Sequence, residues 1–253
     1  MIIDKNIDEG RPFDWGKTSK EYAKYRDIYP KQLFDELIKL GVGKKGSDWL
    51  DLGTGTGVLP RQLAYLGANI IATDISEEQI EEAKILSKNY KNISYSVSSA
   101  EDIEYPSGTF DVITACQCFF YFDPDIIVPK IKKMLKKDGI FVKIWMSYLK
   151  EDELARKSFG LVKKINSEYH GGGAAIKDLK THYFANPCEN ILRVDIPFTR
   201  ESWHGRMMAS RGVMASMNEK QVKQYEKEHL EMLKEYPEEF TVGHVVFITS
   251  YRM

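Results

Sequence analysis

The stretch "WLDLGTGTGVLPRQL", residues 49–63, joins a short apolar run to a helix-like pattern through three glycines at alternate positions. These are Gly53, Gly55 and Gly57. Glycine adopts backbone conformations that other residues avoid, and inside a regular element it costs about 0.5–1 kcal/mol relative to alanine. Three glycines within five residues therefore predict a tight turn whose backbone lies against a ligand.

On both sides of this turn, short apolar runs alternate with helical patterns. Strands are predicted at "DWLDL", "NIIATD", "ISYSV", "FDVITAC", "GIFVKIW", "ILRVDIPF" and "HVVFITSYR". Helices are predicted over residues 22–40, 58–66, 76–90, 126–135, 151–169 and 218–236, with Ser76 as a helix cap. This alternation is typical of βαβ units. The expected fold is α/β: a doubly wound, Rossmann-like, mostly parallel seven-stranded sheet with an antiparallel last strand and helices on both faces.

Composition narrows the class of protein. With 253 residues and 43% hydrophobic residues, the chain can bury a substantial core. Its formal net charge of −1 argues against nucleic acid or an anionic membrane as the main partner. No stretch has the roughly 18 apolar residues of a membrane span, and the acidic amino terminus does not resemble a signal peptide. A cytoplasmic protein, monomeric or homodimeric, is expected.

The cysteines raise the question of a metal site. The three cysteines are Cys116, Cys118 and Cys188, so they cannot all pair, and reduced thiols are expected. Cys116 and Cys118 alternate on a predicted strand and would share one face. Because no further Cys or His has zinc-like spacing, inert thiols and no metal are expected.

Domain organisation is predicted from the change in pattern after the fifth strand. No linker, repeat or low-complexity run is visible, which favours one domain over residues 1–253. Segments 1–40, 150–190 and 200–240 fall outside the alternating scaffold. We expect them to form a helical cap.

Two acidic residues narrow the choice of ligand. Asp51 ends the first strand just before the glycines, and Asp74 ends the second strand. A carboxylate at the second position can accept hydrogen bonds from both hydroxyls of a ribose, which fits NAD as well as other adenosine ligands. A dinucleotide fingerprint would need Gly or Ala where Val58 stands, and a carboxylate at Asp51 suits a cationic ligand better than a pyrophosphate.

The combination of Asp51-Leu-Gly-x-Gly-x-Gly, Asp74, "AEDI", "GTFDVI" and "CQCFFYFD" resembles the class I S-adenosylmethionine-dependent methyltransferases, in the branch that modifies small molecules. The resemblance is close over residues 48–145, and the combination is more specific than the glycine turn alone. It implies S-adenosyl-L-methionine as the cofactor.

The resemblance also implies roles for single residues. Asp51 and the backbone from Gly53 through Thr54 and Gly55 to Gly57 would face the methionine part of the cofactor. Asp74 would hold the ribose. The adenine would be contacted by Ile75, Ala100 and Glu101, and the methyl-transfer site would be lined by Gln117. Many relatives carry an acidic residue where this chain has Ser99, so Glu101 or a backbone carbonyl would replace that contact.

Residues outside the scaffold are candidates for covering the acceptor, since they combine aromatic rings with arginine. They are Tyr22, Tyr25, Arg26, Tyr121, Trp203 and Arg206. Tyr121 follows the fourth strand, on the ligand side of the sheet. His204 is a candidate general base, and Tyr121 is a second catalytic candidate; no catalytic residue is determined by the sequence.

Three hypotheses about function follow. The first is an enzyme that transfers a methyl group from S-adenosylmethionine to a small organic acceptor by in-line displacement, with positioning as the main contribution. The second is a nicotinamide-dependent oxidoreductase. The third is a non-catalytic module that binds S-adenosylmethionine. Neither the acceptor nor its nucleophilic atom can be read from the residues.

Overall fold

The computed structural model describes residues 7–171 and 173–253; residues 1–6, where the predicted cap segment 1–40 begins, and Gly172 lie outside the described residues. The strands are β1 Asp48–Leu52, β2 Asn69–Asp74, β3 Ile93–Val97, β4 Phe110–Cys116, β5 Leu135–Tyr148, β6 Cys188–Thr199 and β7 Glu239–Arg252. The α-helices are α1 Ser19–Tyr25, α2 Lys31–Lys39, α3 Val58–Leu63, α4 Glu77–Leu86, α5 Pro124–Met134, α6 Glu153–Ile165, α7 Gly173–Leu179, α8 Arg200–Met208 and α9 Glu219–Leu233.

The strands form one seven-stranded sheet in the order β3-β2-β1-β4-β5-β7-β6. The pairs β1–β2, β2–β3, β1–β4 and β4–β5 are parallel, and the last strands are antiparallel. The fold class predicted from the sequence is confirmed. The reversal of strand order between β1 and β4 matters, because doubly wound sheets bind ligands at such a switch point.

Strand β1 lies in the middle of the parallel part of the sheet. Its residues Trp49, Leu50 and Leu52 have no exposed surface, as expected for a strand covered on both faces. Leu52 is level with Thr73 of β2 and with Ala115 of β4. The chain therefore leaves all three strands at one edge of the sheet, so the glycine turn and the ends of β2 and β4 lie side by side.

The predicted helix over residues 22–40 is wrong, because the structure has two helices there. Helix α1 ends at Tyr25 and α2 begins at Lys31. Pro30 is extended, with ψ of 150°, and a proline also disfavours helical backbone at the residue before it. The predicted cap at Ser76 is confirmed, because its side chain accepts a hydrogen bond from the Gln79 backbone.

The chain forms two compact units. The helical unit comprises residues 7–28, Ser147–Ala174 and Arg193–Val245, and the sheet unit comprises Tyr29–Met146, Ala175–Leu192 and Val246–Met253. The predicted single domain with cap segments stays a prediction.

Each unit has its own buried core. In the sheet unit, the core includes Leu50, Ile113 and Phe141, all with no exposed surface. In the helical unit, α8 packs against α1 and α9, and α6 packs against α9. Trp203 of α8 and Tyr225 of α9 have no exposed surface. Burying such large aromatic side chains contributes strongly to the stability of a helical core.

Candidate functional site

The glycine turn follows β1 directly, and all three of its glycines have left-handed backbone. Their φ angles are +61° at Gly53, +57° at Gly55 and +74° at Gly57. A side chain at Gly53 would lie 2.7 Å from the Cys118 sulfur, and one at Gly57 would overlap the Tyr95 hydroxyl. Both the conformation and the close packing therefore require glycine at these positions.

Asp74 is tied to this turn by hydrogen bonds. Its Oδ2 accepts from the backbone N–H of Gly55 at 2.8 Å, and its Oδ1 accepts from the N–H of Ser76 at 2.9 Å. Burial raises the pKa of this carboxyl, and the bonds from Ser76 and Gly55 oppose the shift. An ionised carboxylate can accept about four hydrogen bonds, so capacity remains for two ribose hydroxyls. The neighbouring Ile75 is 55% exposed, which leaves an apolar surface for a flat ring.

Asp51 lies deeper, with 2% of its surface exposed. The Thr114 hydroxyl donates to its Oδ1 at 2.5 Å, and Thr114 in turn accepts from the Trp49 indole N–H at 2.7 Å. Burial raises the pKa of Asp51 to about 6, against the hydrogen bond from Thr114. A nearby cation would favour the ionised form of such a carboxyl. The site is therefore suited to a positively charged ligand, and the residues present fit S-adenosylmethionine.

The loop after β3 holds the residues expected at the adenine. Ala100 is buried at 5% exposure, and Glu101 Oε1 accepts from the Asp123 backbone N–H at 2.8 Å. The Ser99 hydroxyl donates to Asp102 Oδ2 at 2.7 Å, while the Asp102 N–H donates to the Ser99 oxygen. Asp102 thus brings a carboxylate to Ser99, the position at which the resemblance implies an acidic residue. Sequence reasoning missed it, although Ser-x-x-Asp is typical of a local side-chain turn.

Gln117 follows β4 in a strained conformation. Its φ is +66°, which is uncommon for a residue other than glycine. Its side-chain Nε2 donates to the Met146 carbonyl at 2.9 Å, whereas its buried Oε1 has no hydrogen-bond partner among the described residues. Strained backbone and an unsatisfied buried acceptor are both features of functional sites.

The cysteine prediction needs a correction. Strand β4 ends at Cys116, so Cys118 is not on the strand and does not continue its alternation. The Cys118 thiol donates to the Leu52 carbonyl at 3.1 Å, and burial raises its pKa well above the usual value. Cys118 therefore packs behind the glycine turn, where its sulfur leaves no room for a side chain at Gly53.

Tyr121 belongs to a short 3-10 turn, Phe119–Tyr121, that follows β4 in the sheet unit. Its ring lies against Phe120, with 4.1 Å between centroids, while Phe119 is buried against Phe141. The aromatic run after β4 thus divides into a core residue and two residues that retain exposed surface.

In the helical unit, the structure brings the two cap candidates together. The Tyr25 ring lies against Gly205, where any side chain would overlap it. The Tyr25 hydroxyl donates to Glu201 at 3.0 Å, so α1 and α8 are joined by packing and by a hydrogen bond. The Arg26 guanidinium lies 4.6 Å from the centre of the Tyr22 ring.

His204 belongs to a buried chain of hydrogen bonds. The Ser158 hydroxyl donates to the Leu154 carbonyl, so its oxygen accepts from the Trp203 N–H and from His229 Nε2, each at 3.0 Å. A neutral His229 then accepts at Nδ1 from His204 Nδ1, 2.9 Å away. Burial lowers the pKa of both histidines, that of His229 to about 3. The Nδ1 proton of His204 is thus held in a hydrogen bond to His229. The role of His204 as a general base stays a prediction.

A family model described as "Methyltransferase domain" matches residues 50–143. A Dictyostelium discoideum protein named as a methyltransferase is 29% identical over 60% of this chain and 51% of its own length. The uncharacterized methyltransferase YcgJ of Bacillus subtilis is 24% identical over 81% of each chain. This chain thus spans about half the length of the first of these relatives.

A crystal structure from Anabaena variabilis, named as a methyltransferase from an antibiotic biosynthesis pathway, has the same fold. Its TM-score is 0.60 at 15% sequence identity, and the match covers 89% of this chain and 99% of that one. At this identity the likeness concerns the fold only. With the methyltransferase model over the glycine turn and β2, it supports the resemblance, drawn from the residues, to the class I S-adenosylmethionine-dependent methyltransferases, whose cofactor is S-adenosylmethionine.

Proposed function

We propose that this protein transfers a methyl group from S-adenosylmethionine to a small organic acceptor by in-line displacement. The observation that carries the proposal is the joint geometry of the turn and Asp74. Three left-handed glycines at the end of β1 are held against a half-buried carboxylate at the end of β2, in the sheet unit. Such an edge binds an adenosine ligand by its ribose and leaves backbone amides for the rest of the molecule.

The residues of the chain have mainly a positioning role. The cofactor supplies an electrophilic methyl group on a sulfonium, so the protein need not generate one. Holding reacting groups in line contributes about 7–11 kcal/mol to lowering a barrier. The buried carboxylate of Asp51 favours the positive charge, and Gln117 presents an unsatisfied oxygen beyond β4.

Further parts of the proposal rest on the resemblance. Ile75, Ala100 and Glu101 would contact the adenine, with Asp102 as an added candidate. The acceptor would be a metabolite and not a nucleic acid, and the protein would act in the cytoplasm as a monomer or homodimer. Within the described ranges, no helix is long and apolar enough to span a membrane.

Calorimetry tests the cofactor part of the proposal. We expect S-adenosylhomocysteine to bind and NAD not to bind, which would exclude the oxidoreductase hypothesis. Asp74→Asn should weaken binding, since an amide cannot accept at both atoms. The matched control is Asp48→Asn at the opposite end of the sheet, where Asp48 pairs with Lys136 at 2.9 Å; its affinity should equal that of the wild type. Equal affinity in both variants would remove Asp74 from the site.

Turnover tests the catalytic part. S-adenosylmethionine labelled in the methyl group should pass label to at least one member of a metabolite panel. Binding of S-adenosylhomocysteine without any transfer would contradict the enzyme hypothesis and favour a binding module. Binding of NAD in its place would favour the oxidoreductase.

A further inference from the structure

The helical unit contains a group of buried polar atoms that the protein itself does not satisfy. They are the hydroxyls of Tyr148 and Tyr225 and the Nε2 of His244. None of these three atoms has a hydrogen-bond partner in the part of the chain that the structure describes. Tyr225 has no exposed surface and His244 has 1%. We call these three residues the orphan cluster.

The members of the orphan cluster come from β5, α9 and β7, and ring contacts and hydrogen bonds link them in one aromatic core. The ring centres of Tyr148 and His244 are 4.8 Å apart. The Tyr225 ring stacks on His229, with 5.0 Å between ring centres, and His229 Nε2 and the Trp203 N–H both donate to the Ser158 hydroxyl at 3.0 Å. Trp203 closes one side, edge-to-face with Tyr148 at 5.4 Å.

The proton position on His244 follows from its one hydrogen bond. Nδ1 lies 2.7 Å from the Val242 carbonyl oxygen, which can only accept, so Nδ1 carries the proton. Burial lowers the pKa of His244 to about 4, against that hydrogen bond, so the ring is neutral at pH 7. Nε2 is therefore a buried acceptor without a donor, and the neighbouring Tyr148 phenol can donate or accept.

Buried polar atoms in native proteins are nearly always paired, and an exception calls for an explanation. The three exceptions in this aromatic core have complementary needs. The histidine nitrogen needs a donor, and the two phenols can use either a donor or an acceptor. A ligand hydroxyl group is both a hydrogen-bond donor and an acceptor.

We propose that the orphan cluster binds a small hydroxylated compound, with one ligand O–H donating to His244 Nε2 and ligand oxygens accepting from the hydroxyls of Tyr148 and Tyr225. Arg206 adds a positive charge to the site, since its guanidinium lies 5.3 Å from the centre of the Tyr148 ring. The aromatic rings around it provide apolar contact for the carbon skeleton.

The test is calorimetric titration of the full chain, with S-adenosylhomocysteine present, using matched pairs of probes. Each pair compares a hydroxylated compound with its methyl ether: catechol with 1,2-dimethoxybenzene, phenol with anisole, and glycerol with its trimethyl ether. The ethers keep their oxygens but cannot donate to His244. We expect at least one hydroxylated member to bind, and its ether to bind about tenfold more weakly.

Variants locate the binding. Tyr148→Phe and Tyr225→Phe each remove one hydroxyl, and His244→Asn keeps a donor for Val242 while removing the acceptor at Nε2. Each should weaken binding of the hydroxylated probe about fivefold. Tyr251→Phe is the control, because Tyr251, like Tyr225, has no exposed surface but lies in the sheet unit, stacked on Phe141.

The melting temperature of the ligand-free protein gives a second measurement. Removing an unpaired buried hydroxyl should not lower it, whereas removing a paired one should. A clear drop for both Tyr→Phe variants, or unchanged probe affinity in all three cluster variants, would overturn the proposal. So would a failure of every probe to bind. Because S-adenosylhomocysteine binding is measured in the same samples, that failure is distinguishable from a failure of the proposed function.

Discussion

Gly57→Ala is the substitution that tests the glycine turn most directly, and the chain contains a matched control. Gly57 has φ of +74°, and a Cβ there would overlap the Tyr95 hydroxyl and lie 3.0 Å from its ring carbon Cζ. Gly46 has nearly the same φ, +76°, but a Cβ there would meet no atom within 4 Å. The two alanine variants therefore share the backbone strain and differ in the steric overlap.

The magnitude follows from these two contributions. Placing an alanine in left-handed backbone costs about 1–2 kcal/mol. Overpacking a well-packed site costs a further 1–3 kcal/mol or so, and Tyr95 cannot move freely because its hydroxyl is hydrogen-bonded to Ser87 at 2.8 Å. We expect Gly46→Ala to lower the free energy of unfolding by about 1–2 kcal/mol and Gly57→Ala by about 2–5 kcal/mol.

The assay is urea denaturation followed by circular dichroism, with S-adenosylhomocysteine affinity measured on the same variants. Combining Gly57→Ala with Tyr95→Phe removes the overlapping hydroxyl, so the double variant should recover part of the loss beyond additivity. Affinity should fall in Gly57→Ala and stay unchanged in Gly46→Ala. Equal destabilisation by the two single variants, with no recovery in the double one, would refute the steric account of the turn.

Three further outcomes are expected. Burial raises the pKa of Asp51 to about 6 in the folded protein, so ionising this carboxyl destabilises the fold. As pH rises from about 4 to above 6, the free energy of unfolding of the wild type should fall by about 3 kcal/mol relative to that of Asp51→Asn. A constant difference between the two proteins across this pH range would contradict the expectation. Asp74→Ala should weaken S-adenosylhomocysteine binding about tenfold and also lower the melting temperature, since two backbone N–H groups lose their acceptor. Arg211→Met should lower the free energy of unfolding by about 3–5 kcal/mol, because it removes the cation paired with the buried carboxylate of Asp8. Adding Asp8→Asn should restore much of that loss.

Local signals in the sequence were enough for the sheet and for the cofactor edge. The apolar run at 48–52 and the alternation of strands and helices predicted a doubly wound sheet, and the structure has it. The glycines signalled left-handed backbone because few other residues adopt it, and all three have it. Asp74 could be placed beside them because the carboxyl ends of neighbouring parallel strands meet at one edge.

Patterns of a few residues failed where the chain breaks its own periodicity. The apolar spacing over residues 22–40 continues through Pro30, so it does not signal the break between α1 and α2. The alternating spacing predicts Cys118 on β4, since the left-handed turn at Gln117 has no glycine to signal it. The carboxylate at Ser99 comes from Asp102 through a side-chain hydrogen bond, which the identity of residue 99 does not signal.

The sequence by itself determined the fold class and, through its resemblance to a known family, implied the cofactor, because both depend on residues that are close in the chain or follow a fixed period. Only the tertiary structure decided which polar groups are satisfied. His204 was the candidate from sequence, yet its Nδ1 is engaged by His229, while His244, which carried no sequence signal, has an unsatisfied buried nitrogen. A hydrogen bond between residues far apart in the chain depends on how helices and strands pack, and no local pattern encodes that packing.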